Sequence, residues 1–234
     1  MHANPTLEAV AKLCALDATG VGGVAAVVTY NYDNLLEMAI VDRPHQPIWD
    51  SQELSGGSLP IYHVHGYVPI HDGQQSCYED IVFTEEQYHV ASQDAYSWFN
   101  LVQIQCMSST TGLMIGLSLS DRNIRRLLDA IMKTPVGTRN YALLKKPPTR
   151  TPDRRQLDAI QQSAARYLER FERSGIKRAQ MKGPSWEDQV TSIAEAVKAK
   201  GLAEEETVLN QLGVTPIWYE DHEEIPQILA QISG

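Results

Sequence analysis

The ten residues Val24-Ala25-Ala26-Val27-Val28-Thr29-Tyr30-Asn31-Tyr32-Asp33 change character halfway along. The first five are apolar without alternation, the pattern of a strand buried on both faces. Thr29, Asn31 and Asp33 then supply small polar side chains, and Leu35, Leu36, Met38, Ala39 and Ile40 give a helical apolar face. A buried strand that ends in polar residues and turns into a helix is where an open α/β sheet exposes its chemistry. The spacing therefore predicts a ligand site at the carboxyl end of a central strand.

The alternation of strand and helix continues along the chain. Asn4 and Pro5 read as the start of a helix with Leu7, Val10, Ala11, Leu13 and Cys14 on one face. Residues 43–58, rich in Pro, Gly and polar side chains, read as a long loop. Ile61 to Gly66 reads as a short strand and 67–80 as a loop. Ile81-Val82-Phe83 is a short apolar piece before Thr84-Glu85-Glu86-Gln87, a capping box. A helix from near Asp94 is expected to bury Trp98, Leu101, Val102 and Ile104 or Gln105. Gly112 to Leu117 reads as a buried strand, and Ile124, Leu127, Leu128 and Ile131 as the inner face of a helix. Tyr141 to Leu144 is a further strand. A helix of about 20 residues is expected beyond Pro152, then helices around 186–198 and 203–212, a strand at 214–219 and a last helix at 224–232. This order predicts an α/β fold, a Rossmann-like, mainly parallel sheet with helices on both faces. The expected organisation is one domain over 1–234: a motif-bearing part at 1–146, a helical segment at 147–212, and a terminal strand and helix at 213–234.

Charge narrows the partners. Thirteen acidic and two basic residues fall before residue 121, sixteen and eighteen from there on, which together give the net −9. The half that carries the polar trio would repel a polyanion, so nucleic acid is not expected as a partner. The basic residues between Arg150 and Arg178 alternate with acidic and apolar positions and read as a solvated helix face. No apolar run approaches the roughly 20 residues that span a bilayer, and no signal peptide is visible. Three cysteines, Cys14, Cys77 and Cys106, form no Cys-x-x-Cys pair. The expectation is a reducing, cytoplasmic setting without structural zinc.

Three fragments stand in order: Thr29-Tyr30-Asn31-Tyr32-Asp33, Val64-His65-Gly66, and Gly116-Leu117-Ser118-Leu119. The series resembles the sirtuins, whose motifs run Thr-Gln-Asn-Ile-Asp, His-Gly and Gly-Thr-Ser-Leu. It is more closely similar to the sirtuin-like domains of bacterial anti-phage defence proteins. The resemblance covers most of residues 4–146. It implies NAD as substrate and no zinc. Asn31 would hold the water, or another nucleophile, near the anomeric carbon of the nicotinamide ribose, and His65 would contact the ribose hydroxyls and act as general base. Thr29, Asp33, Gly116 and Ser118 would bind the nucleotide, Asp33 at the carboxamide, Gly116 and Ser118 near the phosphates or adenine ribose. Nicotinamide departs through an oxocarbenium-like transition state, which polar groups around the ribose stabilise, and a histidine near neutrality can take a proton.

Plainer roles compete. Asn31 and Asp33 could cap the following helix, His65 could be a core histidine, and Ser118 and Ser120 could cap the helix at Asp121. His63 and His65, on one face of a strand, raise a metal site that no carboxylate or cysteine cluster supports. Two departures from the sirtuin pattern stand out. The four-cysteine zinc module between the second and third motifs is missing, which counts against a protein deacylase. Gly20-Val21-Gly22-Gly23 precedes its strand, so the first βα unit with its Gly-Ala-Gly-x-Ser phosphate loop is expected to be missing. The leading expectation is an NAD glycohydrolase that releases nicotinamide and ADP-ribose in anti-phage defence. The alternatives are an inactive nucleotide-binding or interaction module and, last, a deacylase. Without the first strand, the edge at Val24 is expected to be covered by self-association or by an upstream segment or subunit.

Overall fold

Asn4 opens the first helix, α1 (Pro5–Cys14), by accepting hydrogen bonds from the Thr6 and Leu7 amides at 3.0 and 3.3 Å. Pro5 sits in the first turn, where its missing N–H is no loss. The computed structural model describes residues 4–15, 23–51, 53–70, 96–133, 139–147 and 186–232. Residues Met1–Lys145 with Leu209–Gly234 form one compact unit, and Lys146–Val208 form another.

In the first unit, β1 (Val27–Thr29) leads into a short helix, α2 (Leu35–Ala39), then β2 (His45–Ile48) and β3 (Leu59–His63). These strands make a parallel sheet in the order β1-β3-β2. After α3 (Trp98–Ser109) come β4 (Leu113–Met114), α4 (Arg122–Met132) and β5 (Asn140–Lys145). Helix α5 (Trp186–Gln211) ends beside β6 (Val214–Tyr219). A 3₁₀ turn (His222–Glu224) then leads into α6 (Ile225–Ile232). Strands β4, β5 and β6 form a second parallel sheet in that order.

Strand alternation divides the core. From β5, Ala142 and Leu144 join Met114, Leu119, Ile124, Leu128 and Leu209 on one face. Leu143 points the other way, to Tyr219, Ile225 and Leu229. On that second side Val10 of α1 packs against this cluster and against the Ile40, Leu59 and Ile61 cluster of the first sheet. One helix thus covers both sheets, and burial of each such aliphatic side chain stabilises by about 1.5–3 kcal/mol. Parallel sheets flanked by helices make this a Rossmann-like α/β fold.

Several expectations are corrected. His45–Ile48, expected as loop, is an edge strand; its Pro47 hid it, and an edge strand tolerates a proline. The third strand runs from Leu59 to His63 rather than to His65, so Val64 and His65 form a turn and the two histidines do not share a strand face. The run at Val24 is paired only from Val27, and β1 is half-buried rather than buried on both sides. In α3 the buried residues are Asn100 and Gln103, while Leu101 is exposed. Helix α5 is continuous through Gly201, since one glycine costs only about 1 kcal/mol, too little to split it. The pieces at Ile81–Phe83 and Thr84–Gln87 and the helix beyond Pro152 lie outside the described residues. No helix among the described residues is long and apolar enough to cross a membrane.

Candidate active site

The site is built where β1 and β3 end. Thr29 pairs in register with His63, so Asn31 and His65 each lie two residues past the last matched pair of adjacent parallel strands. The two segments stay joined beyond the sheet. Val64 donates its amide to the Thr29 carbonyl (3.2 Å), Val68 to the Tyr32 carbonyl (2.7 Å), and Ile70 to Asn34 Oδ1 (3.0 Å).

Within the polar trio, two members shape the turn and one faces out. Thr29 Oγ1 accepts from the Asn31 amide at 3.1 Å, and Asp33 Oδ1 from the Leu35 amide at 3.1 Å. Asn31 is exposed, and its carboxamide is bonded to none of the described residues. Neither Asn31 nor Asp33 is the cap of α2, which is Asn34.

His65 is held against an aromatic wall. Its ring meets Tyr30 edge to face, with 5.0 Å between centroids and 74° between planes. Burial pushes the His65 imidazole below its ordinary value, and the nearby Asp121 carboxylate pulls it back up. The lowered pKa favours a neutral ring that can accept a proton. Tyr30 is raised above the ordinary phenol range, chiefly by burial and then by Asp121. It stays protonated and donates to Gln103 Oε1, while Gln103 Nε2 donates to the Phe99 carbonyl at 2.9 Å. A polar residue of α3 thus anchors the end of β1, which explains why Gln103 is only 3% exposed.

The third motif follows β4. Gly116 has φ +76°, and a Cβ there would meet no atom of the described residues within 4 Å. Leu119 also has positive φ, 54°, a strained state for a branched side chain. It is kept by burial of the leucine and by Arg125 Nε donating to the Leu119 carbonyl at 2.6 Å. The loop turns Leu119 in and leaves Ser118 and Ser120 exposed, their hydroxyls 2.7 Å apart. The serines do not cap α4. Asp121 does, accepting from the Asn123 and Ile124 amides at 2.8 and 3.0 Å. Tyr30 packs against the core cluster of Met114 and Leu119, so the ends of β1 and β4 meet as well. Asp121, acting on both Tyr30 and His65, closes the circuit among the three motifs.

His63 faces away from this cleft. It is 1% exposed, and its Nε2 lies 2.6 Å from Glu37 Oε1 and its Nδ1 3.0 Å from the Asn31 carbonyl. Its ring meets Tyr67, which stacks on Trp49. Among the described residues no group of three or more His, Cys, Asp or Glu is placed to hold a metal ion. Burial raises the Cys106 thiol and keeps it protonated, and Cys77 lies outside the described residues. Four residues that support the site, Tyr30, Glu37, Gln103 and Asp121, escape the sequence reading. Asp121 had a visible signal, a cap residue straight after the third motif.

Parallel strands whose carboxyl ends carry Asn31 and His65, with a left-handed glycine after β4, make this an α/β fold with its candidate ligand site at the strand ends. The family profile described as SIR2-like domain matches residues 25–168, more than half of the chain, and the protein belongs to that family. Domains of this family use NAD, so the function is NAD-related. Among curated proteins the chain has no match.

Proposed function

We propose that this protein is an NAD glycohydrolase that releases nicotinamide and ADP-ribose, acting in the cytoplasm in bacterial anti-phage defence. The observation that supports the reading is the Thr29–His63 register, past which Asn31 and His65 each lie two residues on. The glycosidic bond from the anomeric carbon to the nicotinamide nitrogen breaks, and its electron pair leaves with nicotinamide. Asn31 holds the water that adds to the ribosyl cation, and His65 takes the proton that water loses. Asp33 has one carboxylate oxygen on the Leu35 amide and offers the other to the carboxamide. Gly116 and Ser118 approach the phosphates or the adenine ribose, where the open side of Gly116 lets backbone come close. Thr29 serves the nucleotide through the turn that it holds at Asn31.

Purified protein incubated with NAD, with nicotinamide quantified, tests this. Wild type is expected to release nicotinamide, and folded Asn31→Ala and His65→Ala proteins to release none above background. Binding of NAD without turnover by wild type would replace the hydrolase with a nucleotide-binding module. Wild-type rates in a folded His65→Ala protein would remove His65 from the mechanism.

A further inference from the structure

Both peptide groups that flank the Asn31 Cα are tied. Its amide donates to Thr29 Oγ1, and its carbonyl accepts from His63 Nδ1. Fixing both fixes the Cα–Cβ direction of a residue whose side chain is exposed. The second tie depends on the histidine ring being held. The Asn31 carbonyl can only accept, so His63 Nδ1 carries a hydrogen. The 2.6 Å contact between Nε2 and Glu37 Oε1 has a proton between the two atoms, whichever of them bears it. Glu37 therefore sets the ring plane and keeps Nδ1 pointed at Asn31.

The pair is not an economical way to fill a core. His63 and Glu37 are 1% and 8% exposed, and Glu37 Oε2 is buried without a hydrogen-bond partner among the described residues. An apolar pair of similar volume would avoid that desolvation. Beside the pair, Tyr67 feels the Glu37 carboxylate, and the Asn34 side chain in turn hydrogen-bonds Tyr67. We infer that the buried Glu37–His63 pair is a positioning device that aims the Asn31 carboxamide into the cleft, its role in turnover resting on the hydrolase reading above.

Three variants separate positioning from packing. In Glu37→Gln the amide can donate to Nε2, so Nδ1 keeps its hydrogen on Asn31. Glu37→Leu removes the support. His63→Gln can still reach Glu37 but leaves the Asn31 carbonyl without its donor. Amide exchange over residues 27–36, measured without NAD, and the kcat and KM of nicotinamide release are the readouts. Glu37→Gln is expected to keep kcat and exchange near wild type. Glu37→Leu and His63→Gln are expected to lose roughly tenfold or more in kcat, with little change in KM, since misplacing a reacting group slows chemistry more than binding. Both should exchange faster at 27–36 and not in α4. A folded His63→Gln protein with wild-type kcat and exchange would overturn the inference. If that variant or Glu37→Leu does not fold, a folded Glu37→Gln protein with collapsed kcat overturns it instead. Should wild type release no nicotinamide, the hydrolase reading fails. The exchange comparison then decides the positioning role: faster exchange in Glu37→Leu and His63→Gln but not in Glu37→Gln upholds it, and equal exchange in all variants ends it.

Discussion

The rings of Tyr30 and His65 meet edge to face with 5.0 Å between their centroids, and this contact joins the ends of β1 and β3 above the sheet. Because Tyr30 also reaches Gln103 of α3, His65 leans on a side chain that is anchored at its far end. The cleft is therefore walled by groups whose orientation is set before any ligand arrives.

The pH dependence of nicotinamide release should report His65 and its neighbour. Burial lowers the His65 pKa, and the Asp121 carboxylate, by favouring the imidazolium, raises it. The base must be neutral, so activity falls as pH drops through the His65 pKa, on an acid limb below the ordinary imidazole value. Asp121→Asn keeps a good cap for α4 but removes the charge. The acid limb of kcat/KM should move to lower pH, with little change in the unfolding midpoint. A limb that stays in place or moves up would mean that another group titrates.

Tyr30→Phe keeps the ring against His65 but leaves Gln103 Oε1 buried without its donor. That orphaned acceptor should cost about 1–3 kcal/mol in urea unfolding. Adding Gln103→Leu to Tyr30→Phe removes the orphan, so the double variant should be more stable than the sum of the two single changes implies. Additive effects would show that water satisfies Gln103. Activity per folded molecule should fall far less than in His65→Ala.

Much of the framework was legible. The Ile124, Leu127, Leu128 and Ile131 spacing named the buried face of α4 residue by residue, because an apolar stripe at helical period has one place to go. The order of the three motifs identified the family, and the first of them marked a strand end. What stayed hidden is polar and non-local. Asn100 and Gln103 are the buried face of α3, yet nothing in their neighbours distinguishes them from solvated residues; Gln103 is buried because Tyr30 needs an acceptor there. Glu37 looks like a surface residue of an amphipathic helix until His63 is seen beside it. Losing the His63 ring would leave a buried carboxylate alone.

Strand edges set an association test. Among the described residues β1 is paired only with β3, and β4 only with β5. Unpaired strand edges recruit another strand when one is available. We propose that a second copy of the chain supplies it. Sedimentation velocity over a wide concentration range should show self-association of the 234-residue chain. A monomer at every concentration would remove edge pairing from the account.

Two glycines separate the cleft from its scaffold. Gly112 donates its amide to Asn140 Oδ1 at 3.0 Å, and a Cβ at Gly112 would lie 2.4 Å from that same oxygen. Asn140 is buried and also donates to the Met107 carbonyl at 3.3 Å, so it has little room to retreat. Gly112→Ala should therefore destabilise by about 1–3 kcal/mol from overpacking alone, with the KM for NAD unchanged in the folded fraction. Gly116 presents the opposite case. Its φ of +76° makes alanine unfavourable by roughly 1–2 kcal/mol, but the added methyl meets no atom of the described residues. It would meet the nucleotide instead, if the backbone at Gly116 approaches the phosphates or ribose as proposed. Gly116→Ala should then raise the KM for NAD by about tenfold, which corresponds to 1.4 kcal/mol of lost binding, with a thermal shift no larger than that of Gly112→Ala. An unchanged KM in Gly116→Ala would place the nucleotide away from the β4 loop and leave Asn31 and His65 to bind it from the other sheet.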